Sequence, residues 1–148
     1  MEMVHYGGAS GVTGSCHRLC INKGFSVLVD CGLFQGEDAA GQESSAVHKI
    51  DFDIVTVKAV LITHVHIDHV GRLPYLLAAG YEGPIYLSEP SRELLPMVIE
   101  DALKVGFTRD GRLIKQFLKR VERQLVSLPY DVWYSLIDDS VLDLRIRL

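Results

Sequence analysis

The chain has 148 residues, 48% hydrophobic and 23% charged, which is enough for one domain with a core, too little for two ordinary ones, and too apolar for a disordered chain. Its net charge of −4 excludes a protein that grips nucleic acid by bulk charge, so a polyanion substrate would have to be held by a local patch or by metal ions. No window approaches eighteen uninterrupted apolar residues, and the N-terminus has no basic segment followed by an apolar one, so no membrane span and no secretory signal are expected and the expected compartment is the cytoplasm.

The first third reads as strands and tight turns. Residues 7–14 are glycine-rich but lack the Gly-Lys-Ser/Thr ending and following helix of a phosphate loop, and read as a connecting turn. Residues 16–21 and 25–29 form a hairpin pattern around the turn Asn22-Lys23-Gly24, and Asp30-Cys31-Gly32 ends the second strand. Cys16, Cys20 and Cys31 are too few, and odd in number, for a disulfide framework; Cys16 and Cys20 are expected to pack in the core. Residues 36–45, small and polar, read as a loop.

Residues 59–62 are a short apolar run of the kind buried on both faces of a sheet, and they lead directly into a histidine cluster. Residues 71–79 have helical character and stop at Gly80, with Pro74 tolerable only in a first turn. The cluster therefore lies on a strand-to-helix loop. Residues 85–87 read as a strand. In residues 92–105, Leu94, Leu95, Val98, Ile99, Ala102 and Leu103 follow helical spacing, and Pro96 predicts a kink or a later helix start. A second amphipathic helix spans residues 112–125, with Leu113, Ile114, Phe117, Leu118, Val121 and Leu125 on one face. Arg112, Lys115, Lys119 and Arg123 lie opposite; they could meet a phosphate backbone, but a solvated face is the favoured reading. Trp133 and the tyrosines are expected in the core. Residues 142–148 alternate as a half-buried strand, and the chain stops there without a turn or cap, which reads as a fragment of a longer protein. Strands alternating with helices give an α/β layer architecture.

The chemistry concentrates in His64-Val65-His66-Ile67-Asp68-His69, three of the six histidines with an aspartate among them. Imidazole and carboxylate are the ligands that borderline metals such as zinc accept. His64 and His66, two apart on an extended segment, can point the same way; Asp68 and His69, where the chain turns into a helix, can face a second point nearby. Four ligands around a bend can thus serve two adjacent metals. The alternative is a solvated, histidine-rich loop, which a buried strand delivering the cluster argues against.

Thr63-His64-Val65-His66-Ile67-Asp68-His69 resembles the HxHxDH motif of the metallo-β-lactamase fold, an αββα sandwich. Three segments resemble its β-CASP branch of nucleic-acid-processing nucleases: Gly8-Ala9-Ser10-Gly11-Val12-Thr13-Gly14-Ser15-Cys16-His17, Val29-Asp30-Cys31-Gly32-Leu33-Phe34-Gln35-Gly36 and Asp68-His69-Val70-Gly71-Arg72-Leu73-Pro74-Tyr75. The resemblance covers nearly the whole chain. It implies that His64 and His66 hold a first zinc and that Asp68 and His69 hold a second, with Asp68 also orienting the attacking hydroxide. It implies that Asp30 steadies the site from behind, and that residues 7–14 lie near it. It further implies a zinc-dependent ribonuclease with two Zn2+ ions, acting on RNA or on single-stranded DNA, with a homo-oligomer open. The family's third histidine, bridging aspartate, last histidine and β-CASP insertion have no counterpart in residues 1–148. These residues thus resemble the N-terminal portion of the domain, a partial αββα sandwich cut before the site is complete and expected to be inactive alone. Two alternatives remain: a hydrolase of small thioesters or lactones on the same fold, and a non-catalytic fragment that binds metal or a partner.

Overall fold

The polar turn at Asn22 to Gly24 closes the hairpin that its flanking strands predict, and this hairpin supplies two neighbouring strands of the sheet. In the computed structural model, which describes residues 1–40, 48–138 and 143–148, the first elements are β1 (Glu2–Gly7), β2 (Cys16–Asn22), β3 (Phe25–Val29), α1 (Glu37–Ala40) and β4 (Val57–Leu61). They continue through α2 (Ile67–Val70), α3 (Leu73–Ala78), β5 (Ile85–Ser88), α4 (Glu89–Gly106), α5 (Gly111–Gln124), β6 (Leu125–Leu128), β7 (Tyr134–Asp138) and β8 (Asp143–Ile146). Strands β1 to β6 form one sheet in sequence order, with β1–β2–β3 antiparallel and β3–β4–β5–β6 parallel; β7 and β8 pair separately.

Alternation along the strands sorts the two faces of the sheet. Leu28, Val60, Ile85 and Leu87 are fully buried with Leu76, Leu77, Leu95, Ile99, Ile114 and Val121 of the helices. Truncating any of the leucines would cost about 2–5 kcal/mol, so this core is what fixes the helices against the sheet. Tyr86, on the other face, meets Tyr134 of β7 with ring centroids 5.4 Å apart. The chain is therefore α/β, with helices on one face of a mixed sheet and a short hairpin against the other.

Several expectations shift. Strands β1, β6 and β7 were not expected. The helix expected over residues 71–79 appears as α3, with Pro74 in its first turn, and an unexpected single turn, α2, precedes it across Gly71–Arg72. Asp68 and His69 consequently sit inside α2, and only His64 and His66 lie on the loop. Helix α4 starts at Glu89, ahead of the expected residue 92, and runs through Pro96. Leu94 and Leu113 face solvent, as do Trp133 and Tyr130, expected in the core. The Arg112, Lys115, Lys119 and Arg123 face is exposed, as the solvated reading has it. Of the loop expected over residues 36–45, Glu37–Ala40 is helical, and residues 41–45 lie outside the described residues. The final alternation appears as β8, Leu144 and Ile146 being half-buried between exposed neighbours; Leu142 lies outside the described residues.

The segment after β3 packs backbone to backbone against α2, and Gly32 makes this possible: a Cβ there would overlap the Asp68 carbonyl. Gly32→Ala is expected to lower stability by at least about 2 kcal/mol, as overpacking against an immobile backbone does. Gly111→Ala, at a helix start with nothing within 4 Å, should change stability by less than about 1 kcal/mol. Urea unfolding midpoints of the two variants check this, and equal midpoints would show that Gly32 is under no such constraint.

Candidate metal centre

Helix α2 has only four residues, and although the Ile67 carbonyl accepts from Gly71 N–H at 2.8 Å, so short a turn leaves carbonyls that need donors from elsewhere. Neighbouring segments supply the donors: Ser15 N–H bonds the Asp68 carbonyl (2.9 Å), Cys31 N–H the His69 carbonyl (2.8 Å) and Leu33 N–H the Ile67 carbonyl (3.1 Å). The glycine-rich loop between β1 and β2 is thereby placed beside the histidine cluster. It is fastened at its far end by Asp38, whose carboxylate accepts from the Thr13 N–H and hydroxyl and from Val12 N–H; these bonds hold its carboxyl below the usual range.

Asp30 ends β3 in the left-handed region, with φ 60°, a conformation that aspartate tolerates better than most residues. Its N–H bonds the Leu61 carbonyl at 2.8 Å, and its side chain, 2% exposed, turns into the gap between the strand ends. Four donors reach that carboxylate. Thr63 N–H bonds Oδ1 at 2.9 Å and the Thr63 hydroxyl reaches Oδ2 at 2.8 Å; the Ser15 hydroxyl reaches Oδ2 at 3.1 Å, and His69 Nδ1 lies 2.7 Å from the same oxygen.

Donor counting assigns the tautomers. A carboxylate only accepts, so His69 carries its proton on Nδ1, and its Nε2 keeps a lone pair. The single proton of the Thr63 hydroxyl goes to Asp30. His64 Nδ1, 3.1 Å from that hydroxyl oxygen, must then donate, and its Nε2 also keeps a lone pair. One buried carboxylate thus presents two histidines with the nitrogen a metal needs. Burial, and then the neighbouring His69 and His66, lower the His64 pKa, which favours the neutral, ligating form.

The ring of His64 lies 3.9 Å from that of His69 and 4.6 Å from that of His66, centroid to centroid. His69 Nε2 stands 3.6 Å from Asp68 Oδ2. Two donors on one tetrahedral ion, each about 2.0–2.1 Å away, stand roughly 3.3–3.6 Å apart, so this pair can share an ion as it stands. Among the described residues no three His, Cys, Asp or Glu side chains converge on one point. The imidazole and carboxylate donors fit a borderline divalent metal, but they are part of a cage. The expected division, His64 with His66 and Asp68 with His69, meets a geometry in which His64 stands nearer His69. On the other side of α2 a cavity of about 640 Å³ lies against Ile67 and Gly71, lined by Leu33, Tyr75, Met97 and Val105, and His64, His66 and His69 take no part in it.

Sequence reading missed Ser15 and Thr63, the hydroxyls that hold Asp30. The available signal was their position: each flanks a chemistry-bearing segment, Thr63 directly before His64 and Ser15 at the end of the glycine-rich loop.

A buried carboxylate orients two histidines at the end of a mixed sheet, leaving each with a ring nitrogen that a divalent metal could use. The family comparison is specific: the model of the metallo-beta-lactamase superfamily matches residues 10–138, and the chain belongs to that superfamily. Its relatives include a ribonuclease of Thermus thermophilus, 48% identical over 71% of this chain and 23% of the ribonuclease. Transcription termination factor FttA of Cenarchaeum symbiosum is 37% identical over 88% of this chain and 20% of its own. Cleavage and polyadenylation specificity factor subunit 3-II of Arabidopsis thaliana is 38% identical over 71% and 18%. The ribonuclease and the cleavage and polyadenylation factor are of the RNA-processing kind that the β-CASP resemblance implies. The chain spans about a fifth of the length of these curated relatives. Among solved structures, a metallo-beta-lactamase of Cronobacter sakazakii aligns at TM-score 0.42 and 18% identity over 58% of this chain and 30% of that one, too loosely to add to the assignment.

Asp30→Asn keeps the shape but offers an amide N–H₂ to donors that need an acceptor. It is expected to weaken divalent-metal affinity about 10–100-fold, measured by competition with a chromophoric chelator; unchanged affinity would remove Asp30 from the site. In the metal-free protein, the His64 ring should titrate below the ~6.5 of an exposed histidine. Its neutral form therefore persists as pH falls through that value, and proton NMR of the ring reads the midpoint.

Proposed function

We propose that the protein carrying this chain is a zinc-dependent phosphodiester hydrolase that cleaves RNA. Two zinc ions would be held in part by His64, His66, Asp68 and His69 and completed by ligands from outside residues 1–148. The observation that carries the metal reading is the Asp30 network, which leaves Nε2 of both His64 and His69 as lone-pair donors. Support for RNA comes from relatives whose names state ribonuclease or RNA-processing roles.

Bound divalent metal supplies a nucleophile at neutral pH from water and a Lewis acid for the scissile phosphate. The chain's own residues do the positioning. Asp30 holds the Nδ1 proton of His69 and, through Thr63, that of His64, so neither ring is free to rotate. Asp68, fixed through its carbonyl by Ser15 N–H, presents one carboxylate oxygen toward His69 Nε2. Its other oxygen is available to accept a hydrogen bond from the attacking water and hold it in line with the phosphate. Four ligands for two ions are two each, below the three or four protein ligands usual for zinc. Residues 1–148 alone are therefore expected to hold metal weakly and to cleave nothing.

The test is cleavage of end-labelled single-stranded RNA and DNA by the full-length protein, with metal content read by elemental analysis. Two zinc ions per chain, RNA cleavage abolished by a chelator, and a loss of about 10²–10⁴-fold in Asp68→Ala are expected. RNA left uncut by the zinc-loaded protein, or cut equally by Asp68→Ala, would overturn the proposal, and hydrolysis of thioesters or lactones in its place would move the substrate to small molecules.

A further inference from the structure

The hydrogen bonds at Asp30 continue past Ser15 to the sheet edge. His5 of β1 and His17 of β2 are cross-strand partners. Their Nδ1 atoms lie 2.8 Å apart, with the rings edge to face at 4.9 Å. The other nitrogen of His17, Nε2, lies 3.3 Å from Ser15 Oγ, the hydroxyl that donates to Asp30 Oδ2. That same oxygen takes the Nδ1 proton of His69.

The directions follow from counting protons. Ser15 has one, and the carboxylate takes it. His17 Nε2 must then be the donor to Ser15 Oγ, which makes its Nδ1 an acceptor when the ring is neutral, and His5 Nδ1 the donor to it. The chain reads His5 Nδ1–H to His17 Nδ1, His17 Nε2–H to Ser15 Oγ, Ser15 Oγ–H to Asp30. Burial and the neighbouring His5 lower the His17 pKa while Asp30 raises it. A serine facing an acceptor at His17 could turn its proton away from Asp30; one facing a donor cannot.

We propose that His17, held by His5, is a positioning residue for the metal-binding face of the site: its Nε2–H commits the Ser15 proton to Asp30 Oδ2, which fixes the carboxylate against His69. The two histidines are twelve residues apart in sequence; the sheet register brings them together, and His17 faces Ser15. The inference rests on the metal reading above.

The test measures zinc affinity of the full-length protein by chelator competition, and the His69 ring nitrogens by ¹⁵N NMR without metal. His17→Phe keeps a ring against His5 and removes both nitrogens; Ser15→Ala removes the next link; His17→Gln restores an N–H near the Nε2 position. His17→Phe and Ser15→Ala should each weaken zinc binding roughly 3–10-fold, less than a direct partner of a ligand would. Both should move the His69 nitrogen shifts away from the pure Nδ1–H pattern. His17→Gln should stay within about 2-fold of wild type, and the double variant should bind no more weakly than Ser15→Ala alone, because both act through one chain. Additive losses, or unaltered His69 shifts in both single variants, would overturn the proposal. Should His17→Phe fail to fold, the Ser15→Ala shifts and the His17→Gln rescue decide it. Zinc binding that survives His69→Ala would instead defeat the metal reading; binding lost in His69→Ala but unaffected in His17→Phe and Ser15→Ala would defeat this inference alone.

Discussion

Asp30 carries a carboxylate into the gap where β2 begins and β3 and β4 end, at 2% exposure and with φ 60°. Both features cost free energy: a buried charge must be matched by hydrogen bonds, and a left-handed non-glycine residue must be held there by its surroundings. Thr63, Ser15 and His69 provide the match with four donors. Because those donors come from three separate segments, one carboxylate sets the relative positions of the strand ends. It sets the histidine tautomers at the same time. Removing Asp30 would take the acceptor from Ser15, Thr63 and His69 at once, so its role in folding and its role in the site cannot be separated by deletion alone.

That arrangement is braced from below by the corner between α2 and α3. Arg72, 2% exposed, donates its backbone N–H to the Cys31 carbonyl and its Nε to the Gly32 carbonyl, and its guanidinium lies 4.8 Å from the centre of the Phe34 ring. The segment after Asp30 is therefore held both by α2 and by Arg72, which bonds the Cys31 and Gly32 carbonyls. Cys16 and Cys31, both fully buried, fill the same region as free thiols. Apolar packing of α3 and α4 on the sheet then keeps the corner in place. The candidate metal ligands therefore stand on a packed mount, although the helix bearing two of them is a single turn.

How much of this the sequence declares depends on how local the cause is. The histidine cluster, the strand before it and Asp30 are legible because residue type and spacing carry them. Strand β6 is not, because Leu125 satisfies two patterns at once: it continues the helical spacing from Val121, and its ψ of 125° already makes it the first strand residue. The early start of α4 had a readable sign in Ser88, whose hydroxyl caps Ser91 N–H, with Pro90 in the first turn. Pro96 obscured it. The interior proline costs one hydrogen bond, and the helix continues because Leu95, Ile99 and Leu103 are anchored in the core. Strand β1 is an exposed edge, and its alternation, half-buried Val4 and Tyr6, is masked by Met3. The work of Ser15, Thr63 and His17 is set by register between segments distant in sequence, which no local pattern contains.

The charge difficulty raised by composition takes a different form at the site. A chain of net charge −4 repels a polyanion on average, and the exposed basic face of α5 offsets this only locally. Asp30 and Asp68 add two formal negative charges beside the histidines. Two divalent ions would bring four positive ones, leaving a formal surplus of about two at the point where a phosphate must sit. Under the proposed function, recognition of the scissile phosphate and activation of water then share one origin. The protein has no need of a basic groove at the reacting centre, and its histidines must be neutral before the ions arrive. The Asp30 network serves that requirement directly. It takes the Nδ1 protons of His69 and, through Thr63, His64, while leaving Nε2 of each without one.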